Sequence, residues 1–186
     1  MHIENILVLG STLLTEKCVE LLKHKYNLVG HIPSKRPTVK GNIDLSVVDM
    51  NVDYDIALSI QYDRIIKNPV NCFNVHTGLL PEYGGTNILD YSIKNREKEQ
   101  GITLHKMTNR LDFGPIISKS TYPVFEGDKA CDLYKRLLCI GPNFVLLGLE
   151  LLESLSVEKI ERCYTKEPTL YKRGEFKISE EMRSLK

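Results

Sequence analysis

The chain has 186 residues, of which 42% are hydrophobic, and this suits one globular domain, with or without a tail. Its 25 basic and 24 acidic residues leave a formal net charge of +1 without a basic stripe, which argues against a nucleic-acid-binding protein. The five cysteines include no C-x-x-C pair, which is typical of reduced thiols in a cytoplasmic protein. We expect no signal peptide, and no transmembrane helix because no apolar stretch reaches about 18 residues.

The first third of the chain alternates strand and helix patterns. Residues 6–9 (ILVL) predict a buried strand, residues 15–25 (TEKCVELLKHK) a helix, and residues 26–32 (YNLVGHI) a second strand. This order is a βαβ unit, which implies a parallel sheet. The intervening turn, residues 10–16 (GSTLLTE), has one glycine rather than three, so it favours an ordinary strand-to-helix turn over a dinucleotide phosphate loop.

The rest of the chain continues with strands and helices, followed by a charged tail. We expect a mobile polar loop at 33–42, strands at 43–48, 54–60, 70–75, 101–107 and 116–124, and helices at 87–96 and 130–140, with an apolar continuation at 143–155. Asp128 is expected to cap the long helix and Pro142 to break or kink it. The predicted fold is α/β, a mostly parallel twisted sheet with flanking helices. We assign residues 1–156 to the domain and residues 157–186 to a short β-rich or extended appendage.

Two polar residues stand at the end of the strand at 70–75. Asn74 and His76 flank Val75, and residues two apart in a strand face the same way. A loop with Pro81, Gly84 and Gly85 follows, at the carboxyl end of a strand, where parallel sheets bind ligands. An amide donor beside a proton acceptor suits acyl chemistry.

Three motifs occur in one order: NVH at 74–76 with LLP at 79–81, GITLH at 101–105, and LDFGPI at 111–116. As a set they resemble the 10-formyltetrahydrofolate-dependent formyltransferases over roughly residues 54–152. The resemblance implies a Rossmann-like formyltransferase fold and an enzyme that moves a formyl group from this folate co-substrate to a primary amine. That chemistry needs no metal, and no His, Cys or carboxylate cluster has metal-ligand spacing.

The resemblance implies that Asn74, His76 and Asp112 are catalytic. The attacking amine must lose a proton, and the carbonyl oxygen becomes negative in the tetrahedral intermediate. His76 is the candidate to accept the proton or to stabilise the oxyanion as an imidazolium, and Asn74 to donate an N–H to that oxygen. Asp112 would raise the imidazole pKa or hold a water that relays the proton. The sequence leaves these roles open, and we expect His105 to be structural.

Two further sets of residues follow from the same resemblance. The folate pterin is expected in a slot, contacted mostly through the backbone. The predicted cofactor-binding residues are Gln61, Tyr62, Ile66, Leu80, Met107 and Leu111. The loop leading into the helix at 87–96 is expected to contact the acceptor through Tyr83, Gly85 and Asn87.

The sequence favours a nucleotide-linked amino sugar as the acceptor. Residues 58–62 (LSIQY) and 169–176 (TLYKRGEF) look like nucleotide-sugar formyltransferases, which suggests a dTDP-amino-deoxysugar. Phosphoribosylglycinamide formyltransferases are similar in length, but have a glycine-rich phosphate loop where this chain has GSTLLTE. A methionyl-tRNA enzyme would carry a further C-terminal domain and a basic surface.

Other classes remain open. The same fold would also suit a catalytically silent folate- or nucleotide-binding module. A nicotinamide-dependent oxidoreductase is disfavoured because the glycine fingerprint is missing. We expect a cytoplasmic protein whose partner is a small molecule rather than nucleic acid or membrane, with a possible homodimer through residues 146–155 and the tail.

Overall fold

The structure, a computed structural model, describes residues 1–172, 176 and 179–185. The described strands are β1 (Asn5–Leu9), β2 (Asn27–Ile32), β3 (Ile56–Ile60), β4 (Cys72–His76), β5 (Gly84–Gly85), β6 (Glu99–Lys106), β7 (Ile116–Pro123) and β8 (Leu170–Tyr171). The described helices are α1 (Leu13–Leu22), α2 (Ile88–Lys94), α3 (Ala130–Ser154), α4 (Val157–Glu161) and α5 (Glu180–Arg183).

The main sheet has six strands in the order β2-β1-β3-β4-β6-β7. The pairs β1–β2, β1–β3 and β3–β4 are parallel, while β6 runs antiparallel to β4 and to β7. All five residues of β3 are buried, which explains its apolar sequence, since a central parallel strand is covered on both faces. The predicted α/β class, with a mostly parallel sheet and flanking helices, is confirmed.

Helix α3 supplies much of the core. Its buried residues include Leu133, Tyr134, Val145 and Leu149, and it packs against α1, β6 and β7. By length and composition alone it would be long and apolar enough to cross a membrane, properties that core helices of soluble proteins share. Pro142 lies inside this uninterrupted helix, so the predicted break does not occur. We attribute this to packing, which outweighs the roughly 3 kcal/mol cost of an internal proline.

Two further local expectations were wrong. The N-cap of α3 is Lys129 rather than Asp128, because Asp132 accepts the Lys129 N–H at 3.1 Å while Asp128 accepts that of Phe125. Residues 43–48 form a single isolated bridge, His31 to Val47, rather than a strand.

The C-terminal appendage, expected to be β-rich or extended, also contains helices. Its described part holds the short helices α4 and α5 beside the two-residue strand β8. Residues 173–175, in the middle of the TLYKRGEF motif, and residues 177, 178 and 186 of the predicted appendage lie outside the described residues.

Candidate active site

A row of polar side chains crosses the sheet where β3, β4 and β6 lie side by side. The strand register places Asn74 opposite Ser59 on one side and His105 on the other. The Asn74 Oδ1 accepts a hydrogen bond from the Ser59 hydroxyl at 2.8 Å, and Asn74 Nδ2 lies 3.2 Å from His105 Nε2. The hydroxyl fixes the orientation of the amide. An amide nitrogen carries two N–H groups, so one remains to be donated to the oxygen of a bound acyl group.

His76 ends β4, two residues beyond Asn74, and is 7% exposed. Its Nε2 lies 2.6 Å from the carbonyl oxygen of Tyr83, which can only accept, so Nε2 carries the proton. Nδ1 then faces Asp112, with 3.6 Å between Nδ1 and Oδ1. This distance is too long for a direct hydrogen bond. Nδ1 is therefore the ring atom available to a substrate or a water.

Asp112 reaches the cluster from the loop between β6 and β7. Its backbone has a φ of 48°, in the left-handed region that aspartate tolerates better than most residues. Oδ2 accepts the N–H of Gly85 at 2.7 Å, while Oδ1 lies 3.6 Å from His76 Nδ1 and 3.9 Å from His105 Nε2. The structure thus brings the three predicted catalytic residues together.

His105, which was expected to be structural, also belongs to this cluster. Its Nδ1 donates to the Lys106 carbonyl at 3.0 Å, which leaves Nε2 as the acceptor for the Asn74 amide. Burial, followed by the neighbouring His76, lowers the pKa of His105, in keeping with a neutral ring. His105 therefore holds Asn74 in place. The signal for it is the antiparallel register of β4 and β6, which is not visible in either motif alone.

The loop after β4 is tied to the sheet at several points. Thr103 Oγ1 donates to the Gly78 carbonyl at 2.7 Å and accepts the Leu80 N–H at 3.1 Å. Lys119 Nζ donates to the Leu80 carbonyl at 3.1 Å, before the cis peptide bond to Pro81. Gly78 has no room for a side chain, because a Cβ would lie 2.9 Å from His76 Nε2 and 2.6 Å from the Tyr83 carbonyl oxygen. This close packing fixes the ring of His76.

The predicted acceptor contacts lie around the same loop. Tyr83 is 6% exposed, and its hydroxyl donates to Glu97 at 2.7 Å. The backbones of Tyr83 and Gly85 hold His76 and Asp112, as described above. Asn87 precedes α2 with a φ of 58° and makes no side-chain cap. Tyr83 and Gly85 thus directly contact two of the predicted catalytic residues.

The predicted cofactor residues lie on two loops and in the core. The Gln61 side chain accepts from Thr12 at 2.9 Å and Tyr134 at 3.1 Å, so this side chain is engaged by the protein itself. Leu80 is 1% exposed and packs in the interior. Tyr62 and Ile66 line a surface cavity of about 400 Å³.

The two loops that carry the predicted folate contacts are joined to each other. The Asn68 N–H donates to Asn109 Oδ1 at 2.8 Å, and Asn109 Nδ2 donates to Asn68 Oδ1 at 3.2 Å. The Met107 N–H donates to the Cys72 carbonyl at 2.8 Å. Ile65 and Leu111 are 85% and 57% exposed, which leaves an apolar side chain on each loop.

The fold and the cluster define an α/β protein with a site suited to acyl transfer. A family model described as Formyl transferase matches residues 18–147. The chain therefore belongs to the formyltransferase family. Among the residues that the structure describes, no group of three or more His, Cys, Asp or Glu side chains is placed to hold a metal ion.

Individual relatives differ in what they act on. The methionyl-tRNA formyltransferase of Thermosipho melanesiensis is 31% identical over 140 residues, which is 73% of this chain and 44% of that protein, so the chain spans less than half of it. The N-formyltransferase of Helicobacter canadensis, solved with folinic acid and dTDP-3-aminofucose, has a TM-score of 0.71 at 22% identity, covering 91% of this chain and 71% of that one.

A third relative has another activity. Glycinamide ribonucleotide transformylase 1 of Symbiobacterium toebii has a TM-score of 0.68 at 20% identity, covering 82% of this chain and 89% of that one. At these identities the two solved structures establish the shared fold.

Proposed function

We propose that this protein transfers a formyl group from 10-formyltetrahydrofolate to a primary amine of a small acceptor, an amino sugar carried on a nucleotide such as a dTDP-amino-deoxysugar. The observation that carries the proposal is the convergence of Asn74, His76 and Asp112 around one position at the carboxyl end of β4. The folate co-substrate would supply the activated formyl carbon, and the protein would position it and move the protons.

Each catalytic side chain has a distinct task in this proposal. Asn74 donates an N–H to the formyl oxygen as that oxygen becomes negative, an interaction worth about 2.7–4 kcal/mol at comparable sites. His76 Nδ1 accepts the proton that the attacking amine loses. Asp112 faces the same nitrogen and stabilises the imidazolium that forms. The new C–N bond to the acceptor replaces the bond between the formyl carbon and the folate nitrogen, which leaves with a proton.

The two joined loops fit the folate. Their exposed apolar side chains, Ile65 and Leu111, suit the flat rings of a pteridine and its aromatic extension. The reciprocal Asn68–Asn109 pair would fix the spacing between the loops before the ligand arrives. Preorganisation of this kind contributes to affinity by lowering the ordering cost of binding.

The start of α1 supports an amino sugar over glycinamide ribonucleotide. The Leu13 N–H donates to the Val39 carbonyl at 2.9 Å, and Thr12 and Thr15 bond each other's backbone N–H groups in a capping box. These N–H groups would have to be free to bind a phosphate at the helix N-terminus. The relative from Helicobacter canadensis, solved with a dTDP-amino sugar, supports the same acceptor class.

The proposal is tested by following release of tetrahydrofolate with a panel of amines. We expect turnover with one or more dTDP-amino-deoxysugars and none with glycinamide ribonucleotide or methionyl-tRNA. Turnover with glycinamide ribonucleotide alone would select the alternative activity. Tight folate binding without transfer to any amine would select the catalytically silent module.

The loop pair gives a second prediction. Asn109→Ala removes both hydrogen bonds to Asn68, so we expect the Kd for a reduced folate to rise about tenfold, equivalent to about 1.4 kcal/mol. The measurement is isothermal titration with folinic acid. The matched control is Asn27→Ala, which removes a comparable bond to Asn5 beside the amino ends of β1 and β2. Equal Kd values for the two variants would contradict the role of the Asn68–Asn109 pair.

A further inference from the structure

The C-terminal segment, residues 167–172, lies directly against β5, whose Gly85 N–H binds the Asp112 carboxylate. Strand β8 pairs with β5 in a parallel arrangement, Gly84 with Leu170 and Gly85 with Tyr171. Three backbone hydrogen bonds join the two segments. They run from Gly84 N–H to the Thr169 carbonyl at 2.9 Å, from Thr86 N–H to the Tyr171 carbonyl at 3.0 Å, and from Thr169 N–H to the Pro81 carbonyl at 2.8 Å.

Strand β5 uses its two edges for different partners. Successive N–H groups of a strand point to opposite edges. Those of Gly84 and Thr86 therefore bind the C-terminal segment, while that of Gly85 points the other way, to Asp112 Oδ2 at 2.7 Å. Gly85 has a φ of 91°, and a Cβ there would lie 2.2 Å from the Tyr171 carbonyl oxygen. Docking of β8 thus sets the direction in which the Gly85 N–H points.

Tyr171 anchors this arrangement through its side chain. Its ring stacks on that of Tyr83, with centroids 5.0 Å apart and planes 10° from parallel. Its hydroxyl accepts a hydrogen bond from Asn95 Nδ2 at 3.0 Å, and the same nitrogen donates to the Tyr83 hydroxyl at 2.9 Å. The Tyr83 carbonyl in turn accepts a hydrogen bond from His76 Nε2. The ring of Tyr171 is therefore linked through Tyr83 to His76.

A second contact joins the C-terminal segment to the loop between β6 and β7, which contains Asp112. Arg110, two residues before Asp112, pairs with Glu167 through its guanidinium and packs over the ring of Phe113 at 4.1 Å. Both partners of this ion pair are more than half exposed, so it contributes little to stability alone. Together with the backbone hydrogen bonds to β5, it connects residues 167–172 to both loops that meet at the Gly85–Asp112 bond.

We propose that Tyr171 is a positioning residue, and that residues 167–172 complete the active site by holding Gly85 and Asp112 in register. This inference rests on the proposed function for its kinetic consequence, but its structural consequence is independent of any activity. Tyr171 need not touch either substrate to act in this way. Loss of its ring should loosen β5 and allow Asp112 to drift from His76, and displacements of about 1 Å at such sites can cost as much as about 100-fold in rate.

The test compares Tyr171→Ala with Tyr164→Ala. Tyr164 lies three residues before this segment, is 56% exposed, and its carbonyl, which the substitution keeps, accepts the Ile116 N–H. We expect Tyr171→Ala to lower kcat about tenfold, while KM for the amine and for the folate changes less than about twofold. Tyr171→Phe keeps the stacked ring and should recover most of the lost rate. Tyr164→Ala should behave as the unaltered protein.

Hydrogen exchange gives a readout that does not require turnover. Tyr171→Ala should raise amide exchange at residues 84–86 at least tenfold, and Tyr164→Ala should not. Thr169→Pro, which removes the N–H bonded to Pro81, is a second variant and should act in the same direction. Unchanged exchange in both variants, or a raised KM for the amine at unchanged kcat, would overturn the inference. If the unaltered protein formylates no amine, the proposed function fails while the exchange result still decides the role of Tyr171.

Discussion

Asp112→Asn is expected to lower kcat for formyl transfer by roughly 10²–10⁴-fold, the range that general acid–base groups contribute. The substitution keeps the shape of the side chain and retains an oxygen for the Gly85 N–H, which lies 2.7 Å from Oδ2. Asparagine also tolerates the left-handed backbone at this position, where φ is 48°. What is lost is the negative charge 3.6 Å from His76 Nδ1. The measurement is single-turnover transfer with the acceptor found in the panel.

The matched control is Asp55→Asn. Asp55 also accepts backbone N–H groups, those of Glu4 and Asn5 at 2.8 Å each, but it lies beside the amino ends of β1 and β3. Those two hydrogen bonds lower the pKa of Asp55, so this substitution also removes a carboxylate that accepts backbone hydrogen bonds. We expect its rate to stay within about twofold of the unaltered protein, as for a residue remote from the site. An Asp112→Asn variant with a similar rate would show that the charge is dispensable.

The local patterns of the chain predict most of its strands and the extent of its long helix, but not the continuity of that helix. The all-apolar run at 6–9 and the run at 56–60, apolar except for Ser59, lie in buried parallel strands, which are covered on both faces. At Pro142 the local pattern does not predict the observed structure. Its local effect predicts a break, but contacts between α3 and the sheet keep the helix continuous. Those contacts join residues far apart in sequence, so no local pattern reveals them.

In the candidate site, too, some features follow from the local sequence and others depend on contacts between distant residues. The two-residue spacing of Asn74 and His76 predicts that they share a face, and the family resemblance of the three motifs implies Asp112 as their partner. The contacts of Ser59 and His105 with Asn74 were not foreseen, because each arises only through the register of neighbouring strands. The contribution of β8 was not foreseen either, since it depends on pairing with a two-residue strand much earlier in the chain.

His76→Gln and His105→Gln should separate the two histidines that face Asp112. Both rings are buried, with nitrogens 3.6 Å and 3.9 Å from Asp112 Oδ1. The two rings differ in whether a nitrogen remains available to a substrate. His105 uses both nitrogens within the protein, on the Lys106 carbonyl and the Asn74 amide. His76 uses only Nε2 in a hydrogen bond of normal length, on the Tyr83 carbonyl, and keeps Nδ1 for the substrate.

We therefore expect His76→Gln to lower kcat by roughly 10²–10⁴-fold, since glutamine can replace the bond to Tyr83 but cannot accept a proton at neutral pH. His105→Gln should cost about tenfold or less, because a glutamine oxygen can still accept the Asn74 N–H and keep the amide oriented. The pH dependence of kcat gives a second comparison. If His76 accepts the proton, the part of the pH profile of kcat that reports its protonation should be absent in His76→Gln and present in His105→Gln. Equal losses in the two variants would mean that His105 takes part in the proton path and that Asn74 is not its main partner.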